Sequence, residues 1–171
     1  MRKIFRINDI IDLPVVDSTS ARRICTIRDV IIDLRENRVY ALVCKERFFR
    51  RYMEAIAFRN VSVITQNSVA VKGITDRLNV RELNMKRRRF QSFNLILGKL
   101  VLGTHGEILG VIRDLLIDID TGVIRAYELS EGYLDDFLKG RQIVSLEYGH
   151  KLTGKNIVQS DYIIQSSTVK Q

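Results

Sequence analysis

Residues 27–44 read IRDVIIDLRENRVYALVC, and residues 112–129 read IRDLLIDIDTGVIRAYEL. At an offset of 85 positions, six of these 18 residue pairs are identical, whereas unrelated segments of this length share roughly one. The identical pairs are Ile27/Ile112, Arg28/Arg113, Asp29/Asp114, Ile32/Ile117, Asp33/Asp118 and Ala41/Ala126. The chain therefore contains an internal duplication.

Each copy of this segment predicts a β-hairpin. Residues 108–119 and 123–129 are rich in Ile, Val, Leu and Tyr, which favour strands. Asp120-Thr121-Gly122 separates them, and glycine supplies the positive φ that a tight turn needs. The turn of the first copy is Arg35-Glu36-Asn37, where Asn37 can adopt the left-handed conformation.

Further short strands are predicted downstream of each hairpin. In the first half they cover 61–65 and 69–72, and in the second half 148–152 and 156–159. The fold class is therefore mainly β, with a small barrel or sandwich in each half, because closure removes exposed strand edges. One helix is predicted at 130–141, where Tyr133, Leu134, Phe137 and Leu138 form an apolar stripe.

The two halves resemble a known family. Residues 106–122 carry the pattern Gly-x3-Gly-x-Ile-x-Asp-x2-Ile-Asp-x3-Gly, which is similar to the signature of the PRC-barrel domain. Residues 56–61, Ile-Ala-Phe-Arg-Asn-Val, are similar to the family's Ile-Pro-Phe-Glu-Asp-Val segment. The family is that of the photosynthetic reaction centre H-subunit barrel and of the ribosome maturation factor RimM barrel. The resemblance implies a tandem of six-stranded barrels used as docking modules, without family-wide catalytic residues.

The domain organisation follows from the duplication. We expect a first PRC-barrel-like domain at 1–82, a basic linker at 83–92 and a second such domain at 93–171. Each domain is expected to have its own separate core. Ile32 and Ile117 are expected to be buried equivalents.

The formal charge of +8 is concentrated in two stretches. Residues 45–59 contain five basic and two acidic side chains, and residues 86–89 are four consecutive basic residues. Arginines interleaved with aromatic rings can bind phosphates and stack on bases. The candidate partner-binding residues are Arg47, Arg50, Arg51, Tyr52, Lys86, Arg87, Arg88 and Arg89. The alternatives are a segment whose rings enter the core, for the first stretch, and a solvated linker, for the second.

Several patterns superficially suggest catalysis or metal binding. Asp120-Thr121-Gly122 matches the motif of aspartic proteases, but a hairpin turn explains it better because the other half has no such motif. His105 and His150 lack the spacing of metal ligands. Asp29/Asp33 and Asp114/Asp118 recur in both halves, which indicates a structural task such as pairing with Arg28 and Arg113. The sequence therefore predicts no catalytic residue, no cofactor and no metal site.

The cysteines and the N-terminus bear on location. Cys25 and Cys44 lie in apolar surroundings without metal or redox spacing, so both are expected to be free core thiols in a reduced cytoplasmic setting. Acidic residues interrupt the N-terminal segment, so neither a signal peptide nor a membrane span is expected.

These features predict a non-enzymatic, cytoplasmic adaptor that docks a macromolecular partner, a protein in preference to RNA. The alternative is an RNA- or ribosome-associated maturation factor that uses the basic clusters 45–59 and 86–89. A small-ligand role is a further alternative, since small barrels can enclose one compound. The partner and the oligomeric state stay open.

Overall fold

A computed structural model describes residues 3–45, 54–72, 77–80, 83, 86, 88–103, 105–132, 140–146, 151–152, 157–158 and 164–166. In these residues the strands are β1 (Ile4–Arg6), β2 (Pro14–Asp17), β3 (Arg23–Asp33), β4 (Arg38–Lys45), β5 (Glu54–Ala57), β6 (Val61–Ile64), β7 (Val69–Val71), β8 (Arg77–Asn79), β9 (Phe90–Ser92), β10 (Leu100–Leu102), β11 (Ile108–Asp118), β12 (Ile124–Ser130), β13 (Gln142–Ser145), β14 (Lys151–Leu152), β15 (Ile157–Val158) and β16 (Ile164–Ser166). The helices are the short α1 (Ile7–Ile10) and α2 (Phe93–Ile96), with a 3-10 turn at Phe58–Asn60.

The strands form two sheets that repeat one topology. The first has the order β6-β7-β2-β3-β4-β5-β8, and the second has the order β14-β15-β10-β11-β12-β13-β16. Every strand of the first sheet thus has its counterpart eight strands later along the chain. This correspondence confirms the predicted mainly β fold and the predicted duplication.

The two long hairpins form as the sequence predicts. β3 pairs with β4 and β11 pairs with β12, both antiparallel. Asn37 has φ 48° and Gly122 has φ 72°, so both turns use the left-handed conformation that their residue types favour. Asp33 and Asp118 stabilise the two turns, since each Oδ1 accepts two backbone N–H groups of its own turn.

The N-terminal strands are exchanged between the halves, so the prediction of two separate cores was wrong. β1 pairs with β11 of the second half, with Ile4 opposite Asp118. β9 pairs with β3 of the first half, with Phe90 opposite Asp33. Because the halves are equivalent copies, the first strand of each half, β1 or β9, can pair with either of two similar strands, β3 or β11. The repeat pattern in the sequence does not show which of the two it pairs with. The domain boundaries predicted at 82 and 93 stay a prediction. The pairs β1–β11 and β9–β3 each join strands from opposite sides of the boundary at 82.

The hairpin turns of the two halves also contact each other. Val39 donates its N–H to the carbonyl of Gly122 at 2.8 Å, and Ile124 donates to the carbonyl of Asn37 at 3.0 Å. A Cβ placed on Gly122 would lie 2.7 Å from a ring carbon of Phe58, so only glycine fits this contact. The halves are therefore joined at two places, the exchanged strands and the paired turns.

One hydrophobic core draws on both halves. Ile32 and Ile117 are both fully buried in it, which confirms that they are buried equivalents. Ile7 and Ile10 of α1 and Phe93 of α2 belong to the same cluster, so the exchanged helices contribute to it. A second, smaller cluster contains Ile31, Ala41, Val43, Ala55, Val80, Leu83 and Phe90.

Cys25 and Cys44 are joined in a disulfide, so the prediction of free thiols was wrong. Their Cα atoms are 5.8 Å apart, within the usual range for a bridge. Ile27 pairs with Cys44 across the hairpin, which places Cys25 diagonally opposite on the same face. The two bulges of this hairpin lie one on each strand and cancel, so the pair Ile27–Cys44 keeps the register of the pairs beside the turn.

Two further predictions can be placed on the structure. The short hairpin predicted at 61–65 and 69–72 is confirmed by β6 and β7, and the described residues of its counterpart pair as β14 and β15. The helix predicted at 130–141 lies largely outside the described residues, since 133–139 are not among them.

Candidate functional site

The basic run 86–89 belongs to a segment that is anchored at both ends. Leu83 and Phe90 are 8% and 7% exposed and lie in the second apolar cluster. Lys86 donates its N–H to the carbonyl of Leu83 at 3.0 Å, and Phe90 donates to the carbonyl of Lys86 at 3.0 Å. Buried side chains therefore flank the run on both sides, whereas Lys86 itself is exposed, so the alternative of a solvated run stays open.

Arg89 is held by a buried carboxylate. Its Nε and Nη2 donate to Oδ2 of Asp33 at 3.0 and 2.8 Å. Burial alone would raise the pKa of Asp33, but the hydrogen bonds from Arg89 and the turn amides hold that pKa below its ordinary value. The guanidinium also lies 5.0 Å from the ring centroid of Phe90. Arg89 thus fastens the segment to the end of β3.

The other described cations of the run face solvent. Lys86 and Arg88 are exposed, and the described residues show no ion pair for either of them. Arg87 lies outside the described residues. Lys86 and Arg88 therefore present two positive charges that have no ion pair among the described residues.

The candidate residues of the first basic cluster, Arg47, Arg50, Arg51 and Tyr52, lie outside the described residues. The described flank of that cluster is nonetheless informative. Glu54 of β5 pairs with Asn79 of β8. Asn79 also lines a cavity that Lys86 and Arg89 line, so β8 lies between the described residue Glu54 and that cavity.

That cavity has a volume of about 290 Å³. It is lined by Tyr40, Leu78, Asn79, Leu83, Lys86, Arg89 and Phe90. The rings of Tyr40 and Phe90 lie 4.5 Å apart between centroids at an interplanar angle of 37°. The cavity therefore combines aromatic and aliphatic walls with two cationic side chains.

The aspartates that recur in both halves have a structural task, as predicted, but with different partners. Oδ1 of Asp29 accepts the backbone N–H of Asn94 at 3.4 Å, and Oδ1 of Asp114 accepts that of Asn8 at 3.3 Å. Each carboxylate thus holds the exchanged helix of the other half. Pairing with Arg28 and Arg113 was the wrong partner assignment, and Arg28 instead contacts Asp12.

Burial dominates the electrostatics of Asp114. The side chain is nearly inaccessible to solvent, and this desolvation raises its pKa to about 6 against the hydrogen bonds that favour the charged form. The nearby Glu128 raises that pKa further by like-charge repulsion.

Sequence reasoning missed the buried carboxylate of Glu128. It contacts the side chains of Arg6, on the exchanged strand β1, and Arg141. Burial alone would raise the pKa of Glu128, but these two arginines hold it below its ordinary value. The signal in the sequence is a glutamate inside the apolar strand β12, at the position where the first copy has Val43.

The motifs that suggest catalysis occur in turns. Gly122 closes its hairpin by donating its N–H to the carbonyl of Asp118 at 2.7 Å, which confirms the turn interpretation of Asp120-Thr121-Gly122. His105 is exposed in the turn between β10 and β11, and its backbone N–H donates to Glu107. His150 lies outside the described residues.

The described part of the chain has neither the features of a metal site nor those of a membrane-spanning helix. Within it, no group of three His, Cys, Asp or Glu side chains is placed to hold a metal ion. None of the helices found there has the length and apolar character that a membrane span requires.

Comparison with known proteins identifies the repeated unit. A family model of the PRC-barrel domain matches the chain twice, over residues 2–81 and 90–170. The chain belongs to the PRC-barrel family. Each PRC-barrel match includes the exchanged strand at its start, β1 in the first and β9 in the second, so family membership and strand exchange concern the same residues.

The PRC-barrel chain is also similar to a curated bacterial protein. It is 25% identical over 123 residues to the protein named "Uncharacterized protein YrrD" of Bacillus subtilis (strain 168). The alignment covers 72% of this chain and 68% of that protein. The match thus spans parts of both PRC-barrel units.

Proposed function

We propose that this tandem PRC-barrel chain is a non-enzymatic adaptor that docks a protein partner. The observation that carries the proposal is the anchored basic run, in which Lys86 and Arg88 are exposed while Leu83, Arg89 and Phe90 hold the backbone. Charges on a fixed backbone lose less conformational entropy on binding than charges on a flexible tether. This difference favours specific docking.

The chemistry of the partner follows from the local charge. The sequence contains no acidic residue between Glu82 and Glu107, and among the described residues Asp33 forms an ion pair with Arg89, with Glu36 nearby. An acidic surface on the partner complements the basic run and is attracted from a distance. The candidate docking residues Arg47, Arg50, Arg51 and Tyr52 of the first cluster belong to the same proposal.

Two arguments favour protein over RNA. The family resemblance implies docking to proteins. In addition, single-stranded RNA is bound largely by stacking on exposed aromatic rings, whereas Phe90, the aromatic residue next to the basic run, is 7% exposed. The alternative, an RNA- or ribosome-associated maturation factor, depends on basic clusters 45–59 and 86–89 acting together.

The absence of catalysis is part of the proposal and has structural support. Asp29, Asp33, Asp114, Asp118 and Glu128, the buried carboxylates of the described residues, all hold turns, helices or arginines. General acid–base catalysis requires a group within hydrogen-bond reach of a substrate, and these buried carboxylates contact other groups of the fold instead. A cytoplasmic location also belongs to the proposal, although the Cys25–Cys44 disulfide removes the argument from reduced thiols.

Co-purification of tagged full-length protein from native lysate, with and without nuclease, tests the proposal. The test variant is Lys86→Glu with Arg88→Glu. Its matched control is Arg22→Glu with Lys72→Glu, which changes the net charge equally at exposed positions outside the run.

The adaptor proposal expects a nuclease-resistant protein partner that the test variant loses and the control variant retains. Loss of the partner on nuclease treatment supports the RNA-associated alternative instead. An equal loss with both variants shows non-specific charge attraction and contradicts docking at this run.

A further inference from the structure

The cavity beside the basic run has the composition of a ligand site. It lies between β4, which supplies Tyr40, β8, which supplies Leu78 and Asn79, and the segment 83–90. Its volume of about 290 Å³ falls at the lower end of small-molecule pockets, which are roughly 300–1,000 Å³. A compound of one or two rings fits this space, whereas a dinucleotide is too large.

The walls favour a flat apolar body. Tyr40 and Leu78 are half-buried and supply the accessible apolar surface, while the nearly buried Phe90 and Leu83 pack behind them. Aromatic side chains attract planar ligands through both buried area and ring geometry. These walls account for the body of a ligand but not for its charge.

The cationic side chains favour an anionic group. Arg89 is oriented by Asp33 through Nε and Nη2, and the charge of that carboxylate offsets its own. Lys86 has no ion pair among the described residues, so it supplies the net positive charge of the cavity. A ligand carboxylate that contacts Lys86 and the part of the Arg89 guanidinium not bound to Asp33 gains charge-assisted hydrogen bonds.

The second half does not repeat this site. The hairpin pairing of the two copies places Arg125 where the first half has Tyr40, and Ile4 where it has Phe90. Arg125 there donates to Asp118, so an arginine takes the space of the aromatic ring. Among the described residues, the second half therefore has no aromatic ring at the positions equivalent to Tyr40 and Phe90.

We propose that this cavity binds one small organic anion, a flat apolar ring system that carries a carboxylate. The inference stands apart from the adaptor role, because it concerns a small molecule in an open cavity of the first half rather than a macromolecular partner. Loss of partner binding in the co-purification leaves it intact.

Calorimetric titration of the full-length protein with naphthalene-2-carboxylate tests this inference. The matched neutral probe is naphthalene-2-methanol, which has the same rings without the charge. We expect one carboxylate per chain and about tenfold weaker binding of the alcohol, the size of effect expected for one charge-assisted contact.

Two variants of the same basic run separate the cavity from general charge attraction. Lys86→Gln is expected to weaken binding of the carboxylate about tenfold and to leave binding of the alcohol unchanged. Arg88→Gln is the control, because Arg88 is exposed and does not line the cavity, and it is expected to bind the carboxylate as the unaltered protein does.

Three results overturn the inference: no measurable binding of the carboxylate, equal weakening by both variants, or more than one bound molecule per chain. Lys86 is exposed, so its replacement is not expected to impair folding, and the melting temperature of both variants checks this.

Discussion

The carboxylate of Asp114 accepts the backbone N–H of Asn8 across a separation of 106 residues, at 3.3 Å. Asp29 does the same for Asn94 at 3.4 Å. In each case the donor lies in a short helix, α1 or α2, that packs against the opposite half of the chain. The strongest sequence signal of the duplication, an aspartate in the middle of each long strand, is therefore also the residue that joins the two halves.

Asp114 makes the stability of the chain depend on pH. Its folded-state pKa of about 6 lies above the ordinary value of 3.8, so the folded chain binds a proton more tightly than the unfolded chain. Stability from this group is fully present below about pH 3.8 and is lost as the pH rises through 6. Asp114→Asn keeps an oxygen acceptor for Asn8 without ionising.

We therefore expect the variant to gain stability relative to the original chain as the pH rises from 4 to 7. Urea unfolding at several pH values measures this difference. Glu128 acts in the opposite sense, since its lowered pKa gives stability that is lost in acid, so the comparison must be made between the two proteins. A difference that stays constant over this range would contradict the burial effect at Asp114.

Alanine substitutions at Ile32 and Ile117 test whether the two halves share one hydrophobic core. Each is fully buried in the cluster that contains residues of both halves. Replacing either with alanine is expected to cost about 2–5 kcal/mol in the free energy of unfolding, through lost apolar contact and a cavity. Because the core is shared, both variants are expected to lower one common unfolding transition.

Calorimetry distinguishes the outcomes. Two transitions, of which Ile32→Ala lowers one and Ile117→Ala the other, would show that the halves unfold independently. A loss below half a kilocalorie per mole, as an order of magnitude, would show that the site does not have the packing of a core.

The strand exchange predicts that a cut between the halves does not separate them. A site for a specific protease introduced at residues 84–85 yields two fragments after cleavage. β1 then pairs with β11 of the other fragment, and β9 pairs with β3. We expect the cleaved fragments to elute together in gel filtration and to separate only in denaturant. Separate elution under native conditions would rule out the exchanged pairing.

The sequence predicts features that involve residues close together along the chain better than features that join residues far apart along it. The hairpins, the left-handed Asn37 and Gly122, and the burial of Ile32 and Ile117 follow from local patterns and from the repeat. Such features require only residue type and spacing.

Features that join distant residues were not predictable in this way. The exchange was missed because two equivalent copies offer each N-terminal strand two similar partners. The Cys25–Cys44 bridge joins residues that lie diagonally across the β3–β4 hairpin rather than as a direct pair, and strand pairing alone does not specify such a bridge. Arg6, one partner of Glu128, lies 122 residues away, so nothing near Glu128 in the sequence indicates that contact.

The cluster of Glu128 with Arg6 and Arg141 is expected to behave as a buried charge with two exposed partners. Glu128 is 3% exposed, whereas the side chains of the arginines are 41% and 51% exposed. Replacing both arginines with serine leaves the carboxylate buried and unpaired, at an expected cost of about 3–5 kcal/mol. Adding Glu128→Val, the residue type of the first copy, is expected to recover most of that loss. Urea unfolding measures both steps, and a triple variant no more stable than the double variant would contradict this account.

The last prediction concerns RNA binding by the basic run 86–89 and the dependence of that binding on salt concentration. The variant replaces Lys86, Arg87 and Arg88 with serine and keeps Arg89, because its loss would release the buried Asp33. If the run contacts RNA phosphates, each lost contact flattens the slope of log affinity against log salt by roughly 0.7 for single strands. A protein adaptor instead predicts only weak, sequence-blind binding at low ionic strength, with a small change in slope.

Filter binding of single-stranded RNA at several salt concentrations measures that slope. The control replaces three exposed basic residues elsewhere, Arg22, Lys72 and Arg113, and so removes the same charge without touching the run. An equal change in slope for both variants indicates diffuse attraction, because counterion release from a non-specific surface depends on total charge rather than on position. Tight RNA binding at physiological salt that Tyr52→Ala abolishes in a protein that stays folded would overturn the adaptor proposal. Stacking of a base on one ring contributes roughly 1–3 kcal/mol, and it requires an exposed aromatic face.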